Sequence, residues 1–67
     1  MPLVTVEGPH IKDVDTKRKL VKQVTEVTAG IYNLPPSAII VVIKENPPEN
    51  VAVGGELVAD RHARDRA

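Results

Sequence analysis

The chain has 67 residues and no cysteine, and its nine basic residues balance nine acidic ones. A single domain this short buries little apolar surface and has no disulfide or thiolate metal site to stabilise it, so association with further chains is expected. Balanced charge and a single aromatic residue, Tyr32, argue against a nucleic-acid partner. Charges throughout residues 1–20 and the lack of a membrane-length apolar run predict a cytoplasmic protein.

The first element is a strand over residues 2–7, where β-branched and apolar side chains dominate. Alternation places Pro2, Val4 and Val6 on one face and the intervening side chains on the other. The segment Gly8-Pro9-His10 ends the strand, because glycine and proline interrupt a regular backbone.

Pro2 is a candidate for chemistry. Removal of Met1 would give it a free secondary amine at the start of the chain. An α-amino group has an ordinary pKa of about 7.7–8.0, which suits a base or a nucleophile near neutral pH. The alternative is a structural proline that stiffens the beginning of a strand, where its missing N–H does no harm.

A helix is predicted from Val14 to Tyr32, with Asp13 or Asp15 as its N-cap. Asn33 can adopt the left-handed conformation that ends a helix, and Pro35-Pro36 prevents continuation. Helical spacing predicts a buried apolar stripe, widened by Val21 and Thr28, whose main members are Leu20, Val24, Val27 and Ile31.

The second half of the chain predicts a further strand and a hairpin. Five β-branched or apolar residues, 39–43, are typical of a strand buried on both faces. Asn46 to Asn50 form a loop, and residues 51–57 indicate a short strand or hairpin. Two alternatives stay open for the polar segment 60–67, a frayed helix or a flexible tail.

The order strand, helix, strand predicts a small α/β fold, a βαβ unit with parallel strands followed by a short C-terminal hairpin, as a single domain over residues 1–67. One helix covers only one face of a two-stranded sheet. The second face and the open edges are therefore expected to meet other subunits, which would extend the sheet.

Taken together, these features resemble the 4-oxalocrotonate tautomerase family. The resemblance rests on Pro2, the βαβ order, Glu45 and the segment 53–57, Val-Gly-Gly-Glu-Leu, at matching spacing over residues 2–58. It implies a cofactor-independent enzyme, commonly a hexamer built from dimers. In this family the amino-terminal proline moves a proton between oxygen and carbon of an enol or dienol acid.

The resemblance also implies a set of substrate-binding positions. Two positions that hold substrate-binding arginines in the family are occupied here by Lys12 and Ile40. Lys12 keeps the positive charge but lacks the bidentate guanidinium group, and Ile40 has no charge. An aromatic wall residue falls on Val51. Lys12 is either an exposed loop lysine or an anion-binding group beside a helix N-terminus. The arginines of the tail are either solvated or replace the lost strand arginine: Arg61, Arg64 and Arg66.

The resemblance thus implies a homo-oligomeric isomerase, similar to 2-hydroxymuconate tautomerase, acting on a small 2-hydroxy-dienoate acid. Pro2 is its predicted acid/base, and Lys12, Ile40 and Val51 are its predicted substrate-binding residues. The resemblance implies no cofactor, and no metal is expected, since His10 and His62 lack the spacing and companions of a metal site. The alternatives are a proline-dependent hydratase or dehalogenase, and a non-enzymatic oligomer used for interaction.

Overall fold

The computed structural model describes residues 1–66 and contains a parallel strand pair joined by a long helix, then a small hairpin and a second helix. Single 3₁₀ turns precede the second strand and the hairpin. The elements are β1 (Leu3–Gly8), α1 (Val14–Tyr32), β2 (Ile40–Glu45), β3 (Ala52–Val53), β4 (Glu56–Leu57) and α2 (Val58–Arg66).

β1 and β2 are parallel neighbours, with a register that runs from Leu3 beside Ile40 to Gly8 beside Glu45. Parallel strands require a long crossover, and the 19-residue helix α1 supplies it. β3 and β4 form a separate antiparallel pair. The predicted fold class, a βαβ unit with a short C-terminal hairpin, is confirmed.

Local side chains define both ends of α1. The carboxylate of Asp13 accepts hydrogen bonds from the Asp15 N–H at 3.1 Å and from the Thr16 hydroxyl at 3.2 Å, which makes Asp13 the N-cap. Asn33 ends the helix with a φ of 55° and donates its N–H to Ala29 O. The predicted bounds of the helix are confirmed.

The core lies between α1 and one face of the strand pair. Val4 and Val6 of β1 are half-buried on this face together with Val41 and Ile43 of β2. Ala29, which is 6% exposed, is the only buried residue in the part of the chain that the structure describes. The side chain alternation predicted for β1 is confirmed.

The other face of the sheet is open and apolar. Leu3 is 62% exposed, Ile40 46% and Val42 37%. Within a single chain β2 is therefore covered on one face, although its composition is typical of a strand buried on both. These exposed aliphatic side chains lie at neighbouring register positions and form one apolar surface. Burial of this surface against another chain would be favourable.

The predicted stripe of α1 is correct over its first half and wrong over its second. Leu20 and Val24 are half-buried, but Val27 is 68% and Ile31 81% exposed. The helix packs through two adjacent lines of residues four apart, one of which continues from Val24 to Thr28 and the other from Val21 to Ala29. Val27 and Ile31 lie to one side of these lines. The end of α1 thus carries a second open apolar surface.

The C-terminal hairpin turns at Gly54 and Gly55, whose φ angles are 61° and 84°. Two consecutive positive φ angles match the tight hairpin turns that favour glycine. α2 follows at once, so the predicted tail of residues 60–67 is helical as far as Arg66. Ala67 lies outside the described residues.

We expect light scattering at micromolar concentration to report a dimer or a larger assembly. The reason is the open apolar face of the sheet, which one chain leaves in contact with water. A folded monomer at this concentration would contradict the packing argument.

We also expect Val42→Lys to weaken this assembly, because a charge on that face loses its hydration when it is covered. Asn50→Lys is the matched control, since it adds the same charge at an exposed polar position. Equal assembly of both variants would mean that the open sheet face is not the contact surface.

Candidate active site

The parallel register brings Pro2 beside β2. The carbonyl oxygen of Pro2 accepts a hydrogen bond from the Ile40 N–H at 3.1 Å, which extends the strand pairing by one residue. Pro2 is half-buried, and the side chain of Ile40 lies on the exposed face of the sheet. Two of the predicted site residues are therefore neighbours at the N-terminal end of the strands.

Lys12 and Val51 lie at the opposite end. β1 leads away from Pro2 for six residues, and Lys12 follows its last residue, Gly8, in the loop before α1. At about 3.3 Å per residue, the length of β1 separates Pro2 from this loop by about 20 Å. Val51 comes after the C-terminal end of β2. One chain alone does not bring Lys12 or Val51 to Pro2.

A carboxylate organises the loop that carries Lys12. Glu45, the last residue of β2, accepts a hydrogen bond from the Ile11 N–H at 2.6 Å and one from Lys17 Nζ at 2.7 Å. Nδ1 of His10 lies 2.8 Å from Oε2 of the same carboxylate. One side chain thus joins the end of β2, the loop and the first turns of α1.

These donors change the acidity of Glu45. The hydrogen bond from Lys17, then that from the Ile11 N–H, lower the pKa of Glu45 from 4.5 to about 2, because both favour the ionised form. Its side chain remains 25% exposed, so water partly screens the charges. Glu45 is therefore a carboxylate at every physiological pH.

Sequence reasoning recognised Glu45 only as a point of family resemblance and did not connect it with His10, Ile11 or Lys17. A local signal does exist. The loop residues after Pro9 carry N–H donors outside any strand or helix, so an acidic residue at the end of the adjacent strand is a natural acceptor. Only the register of the two strands shows that Glu45 lies opposite Gly8.

A cavity of about 480 Å³ opens at this same end of the strands. Val51 forms part of its wall. Asn46 and Glu7 border it and are joined by a hydrogen bond of 2.8 Å from Asn46 Nδ2 to Glu7 Oε2. The lining consists of Glu7, Gly8, Pro9, Asn46, Pro48, Val51, Val58 and His62.

The arginines of α2 have a partner within the chain. Glu56 accepts hydrogen bonds from Arg64 Nη1 at 2.8 Å and from Arg61 Nε at 3.4 Å. These contacts hold α2 against the hairpin. Solvation and anion binding both stay predictions for the tail arginines.

Two further features bear on function. No helix in residues 1–66 is long and apolar enough to cross a membrane. Among the same residues, no group of three or more potential ligand side chains is arranged to hold a metal ion.

The chain is similar to known tautomerases over most of its length. The family described as tautomerase enzyme matches residues 2–61. A probable tautomerase from Halalkalibacterium halodurans is 34% identical over 61 residues, which cover 91% of this chain and 100% of that protein.

Solved structures agree. DmpI from Archaeoglobus fulgidus is 49% identical, with a TM-score of 0.80, over 88% of this chain and 100% of its own. TomN, a 4-oxalocrotonate tautomerase homologue of the tomaymycin biosynthetic pathway, is 31% identical, with a TM-score of 0.85, over 92% and 95%. The chain belongs to the tautomerase family, and the resemblance to its 4-oxalocrotonate branch is confirmed.

The pKa of Glu45 predicts an acid dependence of stability. A group whose pKa is lower in the folded than in the unfolded chain stabilises the fold above its unfolded value. That contribution is lost as the pH falls from about 5 towards 2. We expect Glu45→Gln, which cannot titrate, to lose less stability over this window than the wild type.

The measurement is the urea midpoint of unfolding as a function of pH, at fixed protein concentration because an assembly depends on it. Glu26→Gln is the matched control, since this exposed carboxylate on α1 has no ion pair within residues 1–66. Parallel curves for wild type and Glu45→Gln would show that Glu45 is not held in its ionised form by folding.

Proposed function

We propose that the protein is a cofactor-independent tautomerase that interconverts the dienol and keto forms of a small 2-hydroxy-dienoate acid, with the Pro2 amine as acid/base. The observation that carries this proposal is the half-buried position of Pro2 directly before β1, in a chain that belongs to the tautomerase family. The reaction needs one group that accepts a proton and returns it at another atom.

The chemistry follows from the amine. As long as Met1 is attached, the nitrogen of Pro2 is part of an amide, and its delocalised lone pair cannot accept a proton. After removal of Met1 the secondary amine can accept the proton of the enol hydroxyl group. The C–O bond becomes a carbonyl, the double bonds shift, and the protonated amine delivers a proton to carbon.

The complete site in this proposal is built from two chains. Pro2 and Lys12 are about one strand length apart in a chain, so an antiparallel neighbour would bring its Lys12 loop to the Pro2 of the first. The open apolar face and the unpaired strand edges support such an association. A 4-oxalocrotonate tautomerase from Chloroflexus aurantiacus with the same fold is a heterohexamer, and we propose a homohexamer built from dimers here.

Each of the remaining predicted residues has a part in this site. Lys12 would bind the carboxylate of the substrate. Val51 lies in the wall of the 480 Å³ cavity beside the Lys12 loop and would exclude water from the reacting atoms. Ile40, beside Pro2, would provide an apolar wall without charge.

Pro2→Ala tests the acid/base. We expect the fold and assembly to persist, because proline contributes no N–H to the sheet, and the rate of ketonisation of 2-hydroxymuconate to fall by about 10²–10⁴-fold. Ultraviolet absorbance follows the reaction, and intact mass must show that Met1 is absent. Protein that retains Met1 serves as the inactive control. Full activity of the alanine variant would remove Pro2 from the mechanism.

Lys12→Ala tests the anion site. We expect KM to rise about tenfold or more with little change in kcat, because a hydrogen bond from a charged donor is lost in ground and transition states alike. Lys12→Arg should keep or improve binding through its bidentate fork. Lys22→Ala, an exposed lysine on α1, is the control. An effect of Arg61→Ala or Arg64→Ala in place of Lys12→Ala would assign the anion site to α2.

A further inference from the structure

The loop between β1 and α1 is held at two points, one on each side of Lys12. Before it, the Ile11 N–H donates to Glu45 Oε2 at 2.6 Å. After it, Asp13 caps α1 through its contacts with Asp15 and Thr16. Lys12 is the single residue between a tethered backbone N–H and a helix cap.

The Lys12 side chain is itself exposed and makes no hydrogen bond or ion pair within the described residues, 1–66. Its ammonium group is therefore available to a ligand. Fixing the backbone on both sides reduces the conformational freedom that such a side chain loses when it binds.

Glu45 forms its ion pair with Lys17 and not with Lys12. Lys17 Nζ lies 2.7 Å from Oε1, while the Ile11 N–H and His10 Nδ1 lie at Oε2. Both oxygens have partners, and Lys17 balances the charge. The carboxylate can tether the backbone of the loop without taking the ammonium group of Lys12 as its counterion.

We propose that Glu45 is a positioning residue of the active site, which acts through Lys12 by tethering the Ile11 N–H. This inference rests on the proposed function, in which Lys12 binds the carboxylate of the substrate. It adds a role for a half-buried carboxylate that does not touch the substrate.

A positioning role and a purely electrostatic role of Glu45 predict opposite changes in KM for Glu45→Ala. Glu45→Ala takes away a negative charge near an anion site, so a purely electrostatic effect would lower KM. Loss of the tether would instead raise KM, because Lys12 no longer has one preferred position. We expect a rise of roughly tenfold, in the range observed for residues coupled in one network, with kcat little changed.

A double-mutant cycle separates positioning from general stability. In the Lys12→Ala background, Glu45→Ala should have no further effect on KM, because there is no ammonium group left to place. Equal effects of Glu45→Ala in both backgrounds, or a fall in KM, would overturn the proposal. Glu26→Ala is the matched control for removal of a carboxylate and should leave KM unchanged.

Two conservative variants keep the test decisive if Glu45→Ala fails to fold. Glu45→Gln retains one acceptor oxygen for the Ile11 N–H and should restore most of the wild-type KM. Lys17→Met keeps the hydrogen bond to the Ile11 N–H but leaves the negative charge of Glu45 without its counterion. The KM of this variant should therefore rise at low salt, because the carboxylate repels the anionic substrate. It should approach the wild-type KM as added salt screens the carboxylate. A KM of Glu45→Gln as high as that of Lys12→Ala would overturn the proposal.

The outcomes also distinguish this inference from the proposed function. Pro2→Ala could lose activity while the effects of Glu45→Ala and Lys12→Ala on KM are additive. That result would support the proposed function and overturn only the role of Glu45. An unchanged KM in Lys12→Ala would overturn the role of Glu45, because nothing would remain for it to position. Full activity of Pro2→Ala would instead contradict the proposed mechanism.

Discussion

The structure depends on one constraint: a single helix packs on a sheet of two parallel strands. α1 covers Val4, Val6, Val41 and Ile43 and leaves the other face of the sheet in water. Within residues 1–66 only Ala29 is buried, and no side chain is fully buried, so the chain has little core of its own. The open face, the unpaired edges and the exposed end of α1 follow directly, and they make association with other chains the main remaining source of stability.

The parallel crossover also decides where chemistry can occur. Because the helix returns the chain to the start of the sheet, the N-terminal ends of both strands lie together, and so do their C-terminal ends. Pro2 and Ile40 therefore meet at one end, while the Lys12 loop, Val51 and the cavity lie at the other. In the proposed function a site that uses both ends is shared between chains, which would couple assembly to activity.

Glu45 connects the fold with this second end. Its position opposite Gly8 comes from the strand register, and its three partners come from the loop and α1. The low pKa is a consequence of those partners, since each favours the ionised carboxylate. A single acceptor thus satisfies donors of the loop and of α1, among them an N–H that has no partner in a strand or helix. Where the family resemblance implies arginine, this chain has Lys12, and an ordered backbone can compensate for a less directional cation.

The sequence by itself determined the features that depend on local residues. Asp13, Asn33 and Pro35-Pro36 define the ends of α1, alternation defines the inner face of β1, and the glycine pair defines the hairpin turn. The tertiary structure alone decided that Val27 and Ile31 are exposed and that Pro2 and Lys12 are separated. It also decided that Glu45 contacts a backbone group 34 positions away in the chain. Periodicity specifies which way a side chain faces along its own element, whereas these contacts depend on the register and packing between elements.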